Sequence, residues 1–254
     1  MNTLRLSYKP DYVIIELNNG KVNAINSEMT KELGEVFRNF DKDDNVKGVI
    51  LSGRPHGFSA GLDVMELATG GAKGARNFWV NYLTALQAMI RFSKPFVCAI
   101  TGYAPAGATI FTLGADYRIM GKGAKHVMGM HEFKMSMQIP KMLCDVYAWH
   151  LGERRAWEAV LDAKLFNSDQ ALEIGLVNES CEVEAVLEQA EKKLNKYIKV
   201  YGNVFSKSKA YFRKGLLDIA NNANIDELVE TVVKDATDPM AAEHVKQFLT
   251  SLKK

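Results

Sequence analysis

The sequence predicts an α/β fold, and two observations carry that prediction. Phe96–Ile100 is a continuous apolar run, as expected of a strand that is buried on both faces of a sheet. Residues 28–40 instead place their apolar side chains at helical spacing. Segments of these two kinds alternate through the first half of the chain, which is typical of strands joined by helical crossovers.

The N-terminal segments predict a hairpin followed by a helix. Residues 4–6 and Tyr12–Leu17 are strand-like and flank a turn at residues 9–11. Ser27 is of the residue type that caps helices, so we expect the helix at residues 28–40 to begin just after it. Further along the chain, residues 47–51 and 117–120 predict strands. Residues 76–92 and 106–115 predict helices.

The second half of the chain is mostly helical from about residue 140. Its one strand-like piece is residues 176–177, and helices are predicted at residues 184–201, 204–221, 225–236 and 239–253. No linker rich in glycine, serine or proline separates these helices from the core. We therefore predict a core at residues 1–195 and a helical appendage at residues 196–254, with apolar stripes that suit a neighbouring subunit or the chain's own core equally well.

Composition and charge exclude several classes of function. The net charge of +2 gives no strong attraction to nucleic acid or to a membrane, and no apolar run is long enough to span a bilayer. The N-terminus lacks the apolar run of a signal peptide. The three cysteines lie far apart, so a reducing, cytoplasmic location is expected. The five histidines lack metal-ligand spacing, and no metal is predicted.

Two junctions between a strand and a helix are the candidate functional features. Residues 58–63 follow one predicted strand, and residues 101–108 follow another. Small residues there leave the backbone open, and N–H groups at the start of a helix can bind an anion. Ala60 and Gly107 are the candidate donors, and Asp63 is interpreted as a helix cap. Two such donors predict a pocket that holds an oxyanion.

Several motifs together resemble the crotonase (enoyl-CoA hydratase/isomerase) superfamily. They are VNAIN at residues 22–26, FSAGLD at 58–63, GYAPAG at 102–107, DYRI at 116–119 and SDQALEIGLV at 168–177. The resemblance covers nearly the whole chain. It implies a spiral of ββα units followed by a C-terminal helical region that mediates trimerisation. It also implies an acyl-CoA substrate and a homotrimer or a dimer of trimers.

The resemblance also implies roles for individual residues. The N–H groups of Ala60 and Gly107 would hold the thioester oxygen, and residues 22–26 would lie beside the adenine end of coenzyme A. No cofactor is implied, since coenzyme A is part of the substrate. The positions implied to line the substrate are Ala24, Gly61, Leu62, Asp63, Val64, Ile110 and His131.

The acid/base residues indicate which reaction of the superfamily to expect. Hydratases of this family carry two glutamates, and here one position is Ile110 whereas the other is Glu132. A single carboxylate suits a 1,3-proton shift, in which Glu132 removes a proton from C2 of a 3-enoyl thioester and returns it at C4. Several motifs are similar to those of mitochondrial-type Δ3,Δ2-enoyl-CoA isomerases, including the segment Gly129–Glu132. We therefore expect an enoyl-CoA isomerase.

Two alternatives remain open. A single carboxylate can also activate water, so a CoA-thioester hydrolase or another lyase of the superfamily is possible. A non-catalytic acyl-CoA-binding or scaffold protein that has kept the oxyanion hole is the alternative from another class. A hydratase fits least, because Ile110 can act neither as an acid nor as a base.

Overall fold

The computed structural model describes residues 1–236 together with Met240 and Glu243 of the 254-residue chain. Apart from those two positions, the helix predicted at residues 239–253 lies outside the described residues.

Two sheets form the centre of the protein. The described strands are β1 (Leu4–Tyr8), β2 (Tyr12–Leu17), β3 (Gly48–Ser52), β4 (His56–Gly57), β5 (Phe96–Ile100), β6 (Gly102–Pro105), β7 (Tyr117–Lys122), β8 (Val127–Gly129), β9 (Phe166–Asn167) and β10 (Glu179–Glu182). The six-stranded sheet has the order β1-β2-β3-β5-β7-β10, and the four-stranded sheet has the order β4-β6-β8-β9. The hairpin strand β1 and strand β9 are antiparallel to their neighbours, whereas the other pairs are parallel.

The chain winds as a spiral between these sheets. Strand β3 enters the large sheet and β4 the small one, and the same step repeats with β5 and β6 and again with β7 and β8. Helices connect successive steps, so each turn of the spiral is a ββα unit. The predicted fold class is therefore confirmed.

The helices surround the sheets and form the C-terminal region. They are α1 (Ser27–Lys42), α2 (Val64–Thr69), α3 (Gly71–Arg91), α4 (Gly107–Leu113), α5 (Lys141–Leu151), α6 (Glu153–Leu161), α7 (Ser168–Glu173), α8 (Val186–Tyr197), α9 (Val204–Phe212), α10 (Lys214–Asn222) and α11 (Ile225–Ala236), with 3-10 helices at Glu132–Met135 and Val183–Ala185. Helices α1 and α3 pack together within the main core, and α8 covers the other face of the large sheet.

Some helix boundaries differ from the predictions. The cap of α1 is Asn26, whose side chain accepts a hydrogen bond from the Met29 N–H at 2.8 Å, and Ser27 is the first helical residue. Helix α3 begins at Gly71 rather than residue 76, because its glycine-rich first turn carries no apolar period. The helix predicted at residues 204–221 breaks at Arg213 into α9 and α10.

Some strands also differ from the predictions. Leu176 and Val177 are buried in the core but lie outside any strand, and the strand that follows is the polar β10. Residues 102–105, which were expected as part of the junction after a strand, form β6. The strands of the small sheet are two to four residues long, so they are too short to show a recognisable alternating pattern in the sequence.

The C-terminal helices pack against the spiral. Helices α10 and α11 contact α3, and Leu216, Ala220, Val229 and Val232 are buried in the main core. The predicted boundary after residue 195 falls inside α8, which ends at Tyr197. Among the described residues, no helix is both long and apolar enough to cross a bilayer.

Candidate active site

The first junction is held against the segment that precedes α1. The Ile25 N–H donates to the Gly61 carbonyl at 2.8 Å, and the Asp63 N–H donates to the Ile25 carbonyl at 2.8 Å. Gly61 has a φ of +88°, and a Cβ there would lie 2.9 Å from the carbonyl oxygen of Pro105. Only glycine tolerates both the positive φ and this close approach to Pro105. The first junction therefore lies directly against the second.

The second junction turns sharply from β6 into α4. Ala106 adopts φ 53° and ψ −129°, a strained conformation for a residue with a side chain. Its N–H donates to the Gly129 carbonyl at 2.8 Å, which fixes the turn to β8. Gly107 opens α4, and a Cβ there would lie 2.3 Å from Leu62 Cδ2. The two junctions are therefore in van der Waals contact at Leu62 and Gly107.

The hydrogen bonds correct one predicted donor. The Ala60 N–H donates to the Val22 carbonyl at 2.9 Å, and Ala60 is exposed, so its N–H is engaged in the fold. In the part of the chain that the structure describes, no acceptor contacts the N–H of Leu62 or of Gly107. Leu62 thus replaces Ala60 as the donor available beside Gly107.

The neighbouring residues predicted to line the substrate have structural roles. Asp63 caps α2 by accepting from the N–H groups of Met65 at 3.1 Å and Glu66 at 3.0 Å, which confirms its interpretation as a helix cap. Val64 is the first residue of that helix. Ala24 is half-buried, and its carbonyl accepts from the Asn19 side chain at 2.7 Å.

Glu132 is a buried carboxylate at the end of the small sheet. It lies three residues beyond β8, and the residue is only 3% exposed. Burial raises the pKa of Glu132 to about 7, and the nearby backbone N–H groups of Glu132 and His131 oppose the shift in part although neither is placed well enough to form a hydrogen bond. Neither carboxylate oxygen has a hydrogen-bond partner among the described residues.

The loop that carries Glu132 is tied to α4. Pro105 pairs with Gly129 in the register of β6 and β8. The Gly129 N–H donates to Thr109 Oγ1 at 2.7 Å, and that hydroxyl donates to the Ala104 carbonyl at 2.6 Å. Ile110 follows Thr109 on α4 and is fully buried. The fold thus brings Gly107, Ile110 and the Glu132 loop together.

Two tyrosines near Glu132 were not identified from the sequence. Burial raises the pKa of both Tyr82 on α3 and Tyr147 on α5, and the charge of Glu132 adds to the rise. Tyr147 is 1% exposed and its hydroxyl has no partner in the described structure. His131 Nδ1 is also buried without a partner, and burial lowers the pKa of that residue. Tyrosine on an apolar helix face gives no signal that separates a site residue from a core residue.

The arrangement can stabilise negative charge and move a proton. Two unpaired N–H groups are suited to an oxyanion, and a desolvated carboxylate with a pKa near 7 is suited to act as a base. Over the described residues, no group of three histidine, cysteine or acidic side chains has the arrangement to hold a metal ion.

A sequence profile of the family described as enoyl-CoA hydratase/isomerase matches residues 11–247. The chain belongs to this family. The mitochondrial enoyl-CoA delta isomerase 1 of Mus musculus is 27% identical over 227 residues, covering 88% of this chain and 78% of that protein. The short-chain-enoyl-CoA hydratase of Clostridium acetobutylicum is 26% identical over 200 residues, covering 78% of this chain and 76% of that protein.

Solved structures agree on the fold. The human mitochondrial delta3-delta2-enoyl-CoA isomerase has a TM-score of 0.93, with 99% of this chain and 98% of that chain covered at 24% identity. Family membership makes this chain an enoyl-CoA hydratase/isomerase-type enzyme that acts on acyl-CoA thioesters. Isomerases and hydratases both occur among its relatives, so the residues of the site must distinguish between these reactions.

Proposed function

We propose that the protein is a Δ3,Δ2-enoyl-CoA isomerase with Glu132 as its single acid/base residue. The observation that supports this is the pairing of Glu132 with Ile110. Both are buried, and the position from which a hydratase would supply its other carboxylate carries an aliphatic side chain instead. The similarity to enoyl-CoA delta isomerase 1 agrees with this proposal.

The proposed reaction is a 1,3-proton shift. Glu132 removes a proton from C2 of a 3-enoyl thioester, and the electron pair moves onto the thioester oxygen as a dienolate. The N–H groups of Leu62 and Gly107 hold that oxygen, and each such donor contributes about 3 kcal/mol to transition-state stabilisation. Protonated Glu132 then returns the proton at C4, which gives the 2-enoyl thioester. No cofactor is needed beyond the coenzyme A of the substrate.

The pKa of Glu132 suits this shuttle. A carboxylate with a pKa of about 7 is a stronger base than an exposed glutamate, and it is still deprotonated in a useful fraction at neutral pH. We expect kcat/KM to rise with pH and to level off above an apparent pKa of about 7. A profile that is flat from pH 5 to pH 9 would exclude Glu132 as the titrating base.

A coupled assay with 3-hexenoyl-CoA tests the proposal. Wild type is expected to form 2-hexenoyl-CoA, and Glu132→Gln is expected to lose about 10²- to 10⁴-fold in kcat. Glu173→Gln, the same change at an exposed residue of α7, serves as the control and should retain wild-type activity. An inactive wild type, or a fully active Glu132→Gln, rejects the proposal.

The same preparations distinguish the alternatives. Release of free CoA thiol from acyl-CoA would indicate a hydrolase. Thioester binding without turnover, unaffected by Glu132→Gln, would indicate a non-catalytic acyl-CoA-binding protein. Sedimentation of the protein tests the proposed homotrimer or dimer of trimers, for which the C-terminal region exposes Tyr201, Tyr211 and Phe212.

Backbone substitution tests the choice of Leu62 over Ala60. Replacing Leu62 by its α-hydroxy acid analogue removes one N–H, and we expect kcat to fall about 10²- to 10³-fold. The same replacement at Ala60 removes the hydrogen bond to Val22, so it should lower stability and leave kcat within a few fold. The reverse pattern would restore Ala60 as the donor.

A further inference from the structure

Tyr82 is a buried polar residue that the proposed reaction does not use. It lies on the inner face of α3, is fully buried, and its hydroxyl donates to the Gly107 carbonyl at 2.8 Å. Gly107 is the first residue of α4 and carries one of the two proposed donors. A hydroxyl from a neighbouring helix therefore bonds directly to the residue whose N–H must face the thioester oxygen.

The ring of Tyr82 makes a second contact with the same helix. It stacks on Phe111 with a centroid distance of 4.4 Å and an interplanar angle of 13°. Phe111 lies about one helical turn beyond Gly107. Contacts at both positions limit how α4 can rotate about its axis or slide along α3.

The packing of helix α3 fixes the position of Tyr82. Trp79 packs edge-on against the Tyr82 ring at 5.6 Å. Toward the end of α3, Gln87 donates to the Ala220 carbonyl at 2.7 Å and Arg91 donates to the Asn221 side chain at 2.8 Å, so α10 holds the helix as well. The position of Tyr82 is thus set by the packing of the whole core.

Space around Gly107 also depends on this contact. A Cβ at Gly107 would lie 3.0 Å from the Tyr82 hydroxyl, besides its clash with Leu62. Tyr82 therefore borders the point where the two N–H donors meet.

We propose that Tyr82 is a positioning residue that holds the Gly107 N–H in the oxyanion hole through its hydrogen bond to the Gly107 carbonyl and its stacking on Phe111. This inference rests on the proposed function. Rigid support of a reacting group matters because a displacement of about 1 Å can cost about 10²-fold in rate. Loss of one supporting bond should cost less, on the order of tenfold.

Tyr82→Phe removes only the hydroxyl and keeps the ring. With 3-hexenoyl-CoA we expect kcat to fall about tenfold while KM stays within about twofold, because the coenzyme A contacts are unchanged. Tyr12→Phe is the matched control, since Tyr12 also donates one 2.8 Å hydrogen bond, to Glu191, on the other face of the large sheet. It should leave kcat unchanged even where it lowers the melting temperature.

A binding measurement tests Tyr82 without turnover. Bound [1-¹³C]hexanoyl-CoA should show a thioester carbonyl stretch at lower frequency than in water, and Tyr82→Phe should reduce that shift. If wild type fails to isomerise 3-hexenoyl-CoA, the proposed function fails, whereas the infrared comparison still decides the role of Tyr82. Wild type without any carbonyl shift would overturn the inference.

A second variant covers the case in which Tyr82→Phe folds poorly. Tyr82→4-aminophenylalanine keeps an N–H donor at the same position, so it should restore both kcat and the carbonyl shift. Unchanged kcat and carbonyl shift in Tyr82→Phe would reduce Tyr82 to a core residue, whatever the change in melting temperature. Failure of the amino variant to restore either property would also count against the inference.

Discussion

The two ends of helix α4 differ in whether their backbone polar groups are hydrogen-bonded. At the N-terminal end the Gly107 N–H has no acceptor among the described residues. At the C-terminal end three consecutive carbonyls each accept a hydrogen bond. His150 reaches the Leu113 carbonyl at 3.0 Å, Arg213 the Gly114 carbonyl at 3.0 Å, and Arg118 the Ala115 carbonyl at 3.0 Å.

The C-terminal end is a satisfied ionic cluster. Asp116 pairs with Arg213 at 2.5 Å and with Lys209 at 2.8 Å, and it accepts from the Phe96 N–H at 2.9 Å. The Lys209 side chain is 6% exposed. Basic residues on a surface helix are usually solvated, but Lys209 and Arg213 instead turn inward toward Asp116.

The N-terminal end leaves charged and polar groups buried without partners. Glu132 and the hydroxyl of Tyr147 are the clearest cases. Such groups destabilise a fold, so their presence next to unpaired N–H groups indicates a site prepared for a ligand. Burial of charge alone therefore does not mark function here, whereas an unpaired buried carboxylate beside unpaired N–H groups does.

The largest expected effect is a loss of stability, and it concerns the Asp116 cluster at the C-terminal end of α4. Asp116→Asn leaves Lys209 and Arg213 buried without their counter-charge, and we expect the free energy of unfolding to fall by about 3–5 kcal/mol in urea titrations. Asp218→Asn, which breaks the exposed pair with Lys214, is the control and should cost less than about 1 kcal/mol. A loss below about 1 kcal/mol in Asp116→Asn would show that the cluster does not stabilise the fold.

The second expected effect is a gain in stability, and it concerns Glu132 near the N-terminal end of α4. The folded-state pKa of Glu132 is raised, so its protonated form contributes stability that is present below about pH 4.5 and is lost as pH rises through about 7. Glu132→Gln removes this titration and should stabilise the protein at pH 8 by about 3 kcal/mol. At pH 5 most of the gain should disappear. Equal effects at both pH values would contradict the raised pKa.

Sequence reasoning identified the scaffold better than the site. The motifs around Gly107 and Glu132 predicted the family and the fold, because both depend on local small-residue turns that a sequence displays directly. Leu62 was missed as a donor because the choice between neighbouring N–H groups depends on which one pairs with Val22, a contact across 38 residues. Tyr82 and Tyr147 were missed for a similar reason, since only the fold brings α3 and α5 to the Glu132 loop.

The smallest effect concerns a single hydroxyl. Tyr147→Phe removes a buried hydroxyl that has no partner among the described residues, so it should raise the free energy of unfolding by about 1 kcal/mol. Tyr12→Phe, which removes a paired hydroxyl, should lower it by about 1 kcal/mol. Urea titration of both variants measures the contrast directly. If Tyr147→Phe instead destabilised the protein, the Tyr147 hydroxyl would have a hydrogen-bond partner in solution. The unpaired groups of the site would then be only Glu132 and the two N–H donors.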